Sequence, residues 1–120
     1  MCSVLCSLRA LTNFGHLLLF VMTTCLNGYF HDPALDSLAE SLMKAPKGGA
    51  VAVFASSGMT GPAGQAAINR EMFGLIFRSS AIEGRPLTFG EATLRARKAV
   101  GDIDVRRTYI LFGDPTGSLR

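Results

Sequence analysis

The chain has 120 residues, of which 48% are hydrophobic and 18% are charged, and its formal net charge at pH 7 is +3. This length accommodates one domain, and this composition excludes disordered and fibrous classes of protein. The charge is modest and its basic residues are mixed with acidic ones, so nucleic-acid binding is not predicted. A cluster of basic residues is interpreted as a solvated helix face and the entry to a strand: Arg95, Arg97, Lys98, Arg106 and Arg107.

The N-terminal segment, residues 1–10, is left unassigned. It holds Cys2 and Cys6, and with Cys25 the number of cysteines is odd, so no disulfide framework is predicted. A metal site at Cys2 and Cys6 is not predicted either, because the chain lacks a second thiol pair. The apolar run Leu17–Met22 is shorter than the roughly 7 to 15 residues of a signal core and the roughly 20 of a membrane span. We interpret it as part of a buried strand and keep a secreted, lipid-anchored fragment as an alternative.

Three apolar runs have the length of strands: Leu17–Thr24, Ala50–Ala55 and Thr108–Phe112. Hydrophobic and polar residues do not alternate cleanly in any of them. Continuous apolar runs are typical of central strands in a parallel sheet, because helices cover both faces of such a sheet.

Between these runs the sequence predicts three helices. The first follows the capping box at Ser37–Glu40 and ends before Pro46. The second begins near Pro62, a residue suited to a first helical turn, and is expected to end near Phe77. The third follows another capping box, Thr88–Glu91, and "GDIDVRR" is expected to lead directly into the last strand.

Alternation of strands and helices predicts an α/β fold, with a mostly parallel sheet and right-handed crossovers. Sheets of this class usually have about five or six strands. Three core strands therefore indicate an incomplete domain, which we place at residues 11–120.

Ligand sites in open α/β sheets lie beyond the carboxyl ends of the strands. The loops expected there are "TTCLNG", "SSGMTGP" and "GDPTG", so Cys25 stands where a nucleophile would stand. A thiol needs a neighbouring histidine, a cation or a helix N-terminus to become a thiolate. His16 is expected about 30 Å away, at the wrong end of the strand. His31 follows Cys25 by six residues, so it either folds back to the thiol or packs in the loop.

Three segments occur in a characteristic order along the chain: "CLNGYF", "SLAESL" with the following "GGAVAVFAS", and "ILFGDP". They resemble the C-terminal half of the catalytic domain of gingipain-type cysteine peptidases, distant relatives of caspases. The resemblance covers the chain from Leu11 onward and implies a caspase-like α/β fold.

The resemblance also implies functional residues. Cys25 would attack a peptide carbonyl and form an acyl-enzyme, and Asn27 and Gly28 match positions that shape the nucleophile turn. The stretch Ser56–Thr60 is similar to the segment that lines the pocket for the side chain before the scissile bond. Its residues Ser56, Ser57 and Gly58 are the predicted substrate-binding residues. The family's preference for arginine or lysine is not carried over, because this stretch contains no acidic residue.

The chain departs from the family at the general base. The family's histidine lies in a Gly-His-Gly turn farther before the cysteine than the 24 residues present here, and its acidic partner lies upstream as well. The expected partners are thus a peptide or protein substrate and the missing N-terminal half of the domain, with no metal and no cofactor. A non-catalytic α/β interaction module or pseudoenzyme remnant stays as the alternative.

Overall fold

The computed structural model describes residues 7–8, 10–16 and 18–119. Cys2, Cys6 and Leu17 lie outside the described residues, so what the sequence analysis says of these three residues stays a prediction. Within the described residues no helix has the length and apolar character needed to cross a membrane. The elements in chain order are β1 (Leu18–Val21), α1 (Leu38–Met43), β2 (Ala50–Ser56), α2 (Pro62–Glu83), α3 (Phe89–Ala99), α4 (Ile103–Thr108) and β3 (Tyr109–Gly113).

Both predicted capping boxes are confirmed. At the start of α1 the Ser37 hydroxyl accepts from the Glu40 N–H, and the Glu40 carboxylate accepts from the Ser37 N–H at 2.8 Å. Thr88 and Glu91 make the same reciprocal pair at the start of α3. These bonds satisfy backbone donors that have no partner within the helix, which explains why the two helices begin where the sequence predicts.

Two predicted boundaries after β2 are wrong. Helix α2 continues past Phe77 to Glu83, because no glycine or proline follows until Gly84, which ends the helix with φ of 71°. The segment expected to lead directly into the last strand forms the short helix α4 instead. Asp102 caps it by accepting from the N–H groups of Asp104 and Val105.

The sheet has the order β1-β2-β3. The predicted α/β sheet flanked by helices is confirmed, and so is the parallel pairing of β1 with β2. The parallel direction expected for β3 is wrong, because β3 runs antiparallel to β2. After α2 carries the chain away from the end of β2, α3 and α4 bring it back, so that Ser57 N–H donates to Thr108 O at 2.9 Å and β3 starts beside the end of β2.

Helices cover both faces of the sheet, and each face has its own core. The larger core lies under α2, α3 and α4 and contains Phe54, Ile68, Met72, Leu87, Ala92, Ala96, Val100, Val105 and Tyr109. The smaller one lies under α1 and contains Ala39, Leu42, Ala50, Val53 and Ala55. Strand β2 contributes residues to both cores and is buried at every position except Val51. It is therefore the rigid centre on which the ends of the neighbouring strands are placed.

The ion pair at the start of α3 makes a prediction for acid stability. Arg85 binds both oxygens of Glu91, at 2.8 and 3.0 Å, and this bond, helped by the Thr88 N–H, lowers the pKa of Glu91 from 4.5 to about 2. A lowered pKa stabilises the fold above about pH 4.5, and this stabilisation is lost as the pH falls through about 2. Glu91→Gln keeps the capping geometry but removes the charge. We expect it to lower the free energy of unfolding at pH 7, with the difference from wild type vanishing near pH 2.

Urea denaturation over this pH range measures the effect. Glu71→Gln is the matched control, because Glu71 is an exposed glutamate that makes no ion pair with any residue the structure describes. If the difference in free energy of unfolding between Glu91→Gln and wild type stays constant down to pH 2, the ion pair with Arg85 is not its cause.

Candidate active site

Cys25 lies in a turn that follows β1. The strand ends at Val21, four residues earlier, and the thiol is half-buried and unpaired. Met22 N–H donates to Phe54 O and Gly28 N–H donates to Ser56 O, both at 2.9 Å. The turn is therefore attached on both sides of the thiol to the last residues of β2. Cys25 lies neither inside a core nor away from the sheet, but at the edge where β1 and β2 both end.

The turn has a strained and tightly packed backbone. Leu26, directly after Cys25, has φ of 62° and is the one non-glycine residue with positive φ among those described. Asn27 donates from its side chain to the Thr24 hydroxyl and accepts from Ala39 N–H at 2.9 Å, which ties the turn to α1. A Cβ on Gly28 would lie 2.9 Å from the Phe112 ring, so a side chain there would require this ring to shift.

The predicted substrate-binding residues lie at the end of β2, where Ser56 is the last residue of the strand, and in the loop that follows, which contains Ser57 and Gly58. Ser56 is fully buried, and its Oγ lies 2.9 Å from Gly58 O and 3.0 Å from Thr108 Oγ1. Ser57 donates to Thr108 O from both its N–H and its hydroxyl, each at 2.9 Å. Both serine hydroxyls are used inside the protein. The surface that faces solvent here comes from the half-buried Ser57 and Gly58 and the exposed Met59.

Neither histidine is bonded to the thiol in the described part of the chain. His31 is exposed, and its ring contacts those of Phe30 and Tyr29 at centroid distances of 4.0 and 5.1 Å. His16 precedes β1 and is exposed, as expected for a residue at the opposite edge of the sheet. Within the same described residues, no three His, Cys, Asp or Glu side chains are grouped to hold a metal ion.

The third predicted loop, "GDPTG", does not join the other two. Because β3 is antiparallel, this loop lies at the opposite edge of the sheet, where Pro115 O accepts from Gly90 N–H at the start of α3. Asp114 stabilises a turn in this loop: its carboxylate accepts from the N–H and hydroxyl of Thr116, which lowers the pKa of Asp114. Asp32 likewise accepts from the N–H groups of the loop that follows it. The place expected for "GDPTG" is taken by Thr108, the last residue of α4, and Tyr109, the first residue of β3.

Two buried polar side chains under the turn are absent from the sequence-based prediction. Asn69 on α2 donates from Nδ2 to Met22 O at 3.1 Å, and the Tyr109 hydroxyl at the start of β3 donates to the same oxygen at 3.2 Å. Asn69 is 5% exposed and Tyr109 is fully buried. One signal in the sequence could have indicated a buried role for Asn69: it directly follows Ile68, on the side of α2 that faces the core.

Electrostatics links Tyr109 to the thiol. Burial raises the pKa of Tyr109 above 10.0, the Asn69 side chain opposes this rise, and the charge on Cys25 adds to it.

Removing the charge on Cys25 should therefore lower the pKa of Tyr109. In a Tyr29→Phe background, where Tyr109 is the remaining one of the chain's two tyrosines, we expect Cys25→Ser to shift the tyrosinate absorbance titration to lower pH while its midpoint stays above 10.0. An unchanged midpoint would place the thiol out of electrostatic reach.

Comparison with known proteins gives a consistent result. A family model described as peptidase family C25 matches residues 5–120. The crystal structure of the Arg-specific cysteine proteinase gingipain R (RGPB) superposes with a TM-score of 0.84 and 28% identity, over 97% of this chain and 29% of that chain. The complex of the Porphyromonas gingivalis RgpB pro- and mature domains superposes with a TM-score of 0.75 and 25% identity, over 93% of this chain and 28% of that chain. No curated protein matches the chain. The chain thus spans less than a third of the gingipain chains that it matches.

Proposed function

Because the chain belongs to peptidase family C25 and has the α/β fold of a gingipain-type cysteine peptidase domain, we propose that Cys25 is the nucleophile of a cysteine endopeptidase. The observation that carries this proposal is the position of the thiol. Cys25 is free, half-buried and held in a strained turn at the edge where β1 and β2 both end. Strained backbone is concentrated at functional sites, because the rest of the fold must hold it in place.

In the proposed reaction the Cys25 thiolate forms a bond to the carbonyl carbon of a peptide. The C–N bond then breaks, the amine leaves with a proton, and water releases the acyl group from sulfur. The peptide would lie along the loop after β2, where Ser57 and Gly58 are half-buried and Met59 is exposed. Ser56 would act indirectly, since its hydroxyl holds the loop from inside.

We propose that a polypeptide corresponding to the N-terminal half of the family's catalytic domain supplies the general base, because neither His16 nor His31 is bonded to Cys25 within the described residues. The free edge of β1 is a suitable docking place, since β1 pairs with β2 alone among the described strands. Leu18, Phe73 and Phe77 beside this edge are 51%, 45% and 69% exposed, and the two phenylalanine rings stack at 6.0 Å. Together they line an apolar groove of about 180 Å³.

Labelling with a thiol-directed peptidyl ketone tests the proposal. The chain would carry Cys2→Ser and Cys6→Ser, so that Cys25 is the one remaining thiol. We expect the probe to label Cys25 when the upstream half is supplied and to leave the chain unlabelled without it. Iodoacetamide, which lacks a peptide, is the control for simple exposure of the thiol. Labelling of the completed protein no faster than that of a free cysteine would overturn the proposal.

The absence of a bonded histidine among the described residues also favours a second candidate, a non-catalytic interaction module. In this case Cys25 is a small residue in a tight turn, and the β1 edge with Phe73 and Phe77 is the binding surface. The two candidates differ in their response to Cys25→Ala. A module would keep its partner binding and would show no peptide hydrolysis before or after the substitution.

A further inference from the structure

We propose that Asn69 and Tyr109 are positioning residues, which hold the Met22 carbonyl and through it fix the turn that carries Cys25. This inference rests on the proposed role of Cys25 as nucleophile. It extends that role to two residues outside the turn and outside the loop after β2.

Three elements converge on one carbonyl. Met22 directly follows β1, Asn69 lies on α2 and Tyr109 begins β3. Met22 O accepts from Asn69 Nδ2 at 3.1 Å and from the Tyr109 hydroxyl at 3.2 Å, which uses both lone pairs of the oxygen. The Met22 N–H is bonded as well, to Phe54 O at 2.9 Å. The peptide groups on both sides of Met22 are therefore fixed, although the strand itself has ended.

This attachment determines where the thiol lies. Cys25 follows Met22 by three residues, and the next backbone attachment to β2 is Gly28 N–H on Ser56 O. The strained Leu26 lies between these two points. A residue in a sparsely populated conformation persists when its surroundings fix it on both sides. Without the two bonds to Met22 O, the Met22 N–H on Phe54 O would alone hold Met22 in place before the strained segment.

The buried amide of Asn69 supports a specific role. Its Oδ1 is buried and has no hydrogen-bond partner among the described residues, although buried polar atoms are nearly always paired. Asn69 lies between Ile68 and Met72 on the buried side of the helix. An apolar residue at this position would avoid the desolvation free energy of an unpaired amide oxygen. An amide is suitable here because its Nδ2 donates the hydrogen bond to Met22 O, which an apolar side chain could not do. The charge on Cys25 is also one of the causes that raise the pKa of the Tyr109 hydroxyl, after burial.

Amide hydrogen exchange and thiol alkylation on the full chain test the inference. In the background Cys2→Ser and Cys6→Ser, the variants are Tyr109→Phe, Asn69→Leu and the pair together. We expect the Gly28 and Tyr29 amides to exchange about tenfold faster in the double variant, because the turn opens locally more often. Alkylation of Cys25 by iodoacetamide at a fixed pH should also be faster in the double variant, because a turn that opens more often exposes the half-buried thiol.

Ser79→Ala is the matched control. Ser79 lies on the same helix, is 5% exposed, accepts from Leu87 N–H and donates to Ile76 O, so its loss removes buried hydrogen bonds away from Cys25. This variant should leave amide exchange in the turn and the rate of Cys25 alkylation as in the parent. Equal responses in Ser79→Ala and the double variant would overturn the inference, since the hydrogen bonds would then serve general stability. A turn that loosens as expected in a protein whose Cys25 resists the peptidyl probe overturns the proposed function and not the attachment.

Discussion

Peptide hydrolysis by the completed domain should fall at least about 10⁴-fold when Cys25 is replaced by alanine, because nucleophile and base act as a unit and neither works alone. The substitution removes the sulfur from a half-buried site and leaves the backbone contacts of the turn in place. The same chain without the upstream half should be slower than the completed domain by about 10² to 10⁴-fold, which is the usual contribution of a positioned general base. Initial rates with a fluorogenic peptide measure both effects.

His31→Ala is the control for this prediction. His31 is exposed and its ring contacts Phe30 and Tyr29, so its removal should change the rate by less than a few-fold. A loss as large as that of Cys25→Ala would identify His31 as the base and would contradict the proposal that the base comes from outside the chain. Full activity in Cys25→Ala would refute the nucleophile assignment itself.

Local signals in the sequence were sufficient to predict the elements that begin with a strong chemical feature. Ser37 with Glu40 and Thr88 with Glu91 satisfy free helical amides in any context, so both helix starts are correct. The position of Cys25 after the first strand was also predictable from a local signal, because the apolar run there changes to small and polar residues.

Features that depend on tertiary packing were not predictable in this way. The antiparallel direction of β3 depends on how α3 and α4 return the chain to the end of β2, and α4 was hidden in "GDIDVRR", where Val105 is its one buried residue. The role of Asn69 depends on which carbonyl lies opposite it, 47 residues earlier in the chain. Alternation and capping carry no information about such a distant partner, so the support under the turn becomes visible in the folded structure.

The stability of the fold should be sensitive to substitution at Gly49, the residue directly before β2. Gly49 has φ of 96°, and a Cβ there would overlap the Leu42 carbonyl oxygen and lie 2.9 Å from the Ala45 side chain. Asn13 holds the same residue by accepting from Gly49 N–H at 2.7 Å and donating to Gly49 O at 3.0 Å, so the backbone cannot turn away. We expect Gly49→Ala to lower the free energy of unfolding by about 4 kcal/mol, from backbone strain and steric overlap together. Urea denaturation measures it.

Gly84→Ala separates these two causes. Gly84 also has positive φ, 71°, but no atom lies within 4 Å of a Cβ built on it, so strain is the sole cost. That cost should be about 1 to 2 kcal/mol. Equal losses in the two variants would mean that Asn13 and Leu42 do not confine Gly49. A larger loss at Gly49 would show that the start of β2 is held rigidly. Strand β2, whose other end is hydrogen-bonded to the turn that carries Cys25, would then be fixed at both ends, as the precise placement of a proposed nucleophile requires.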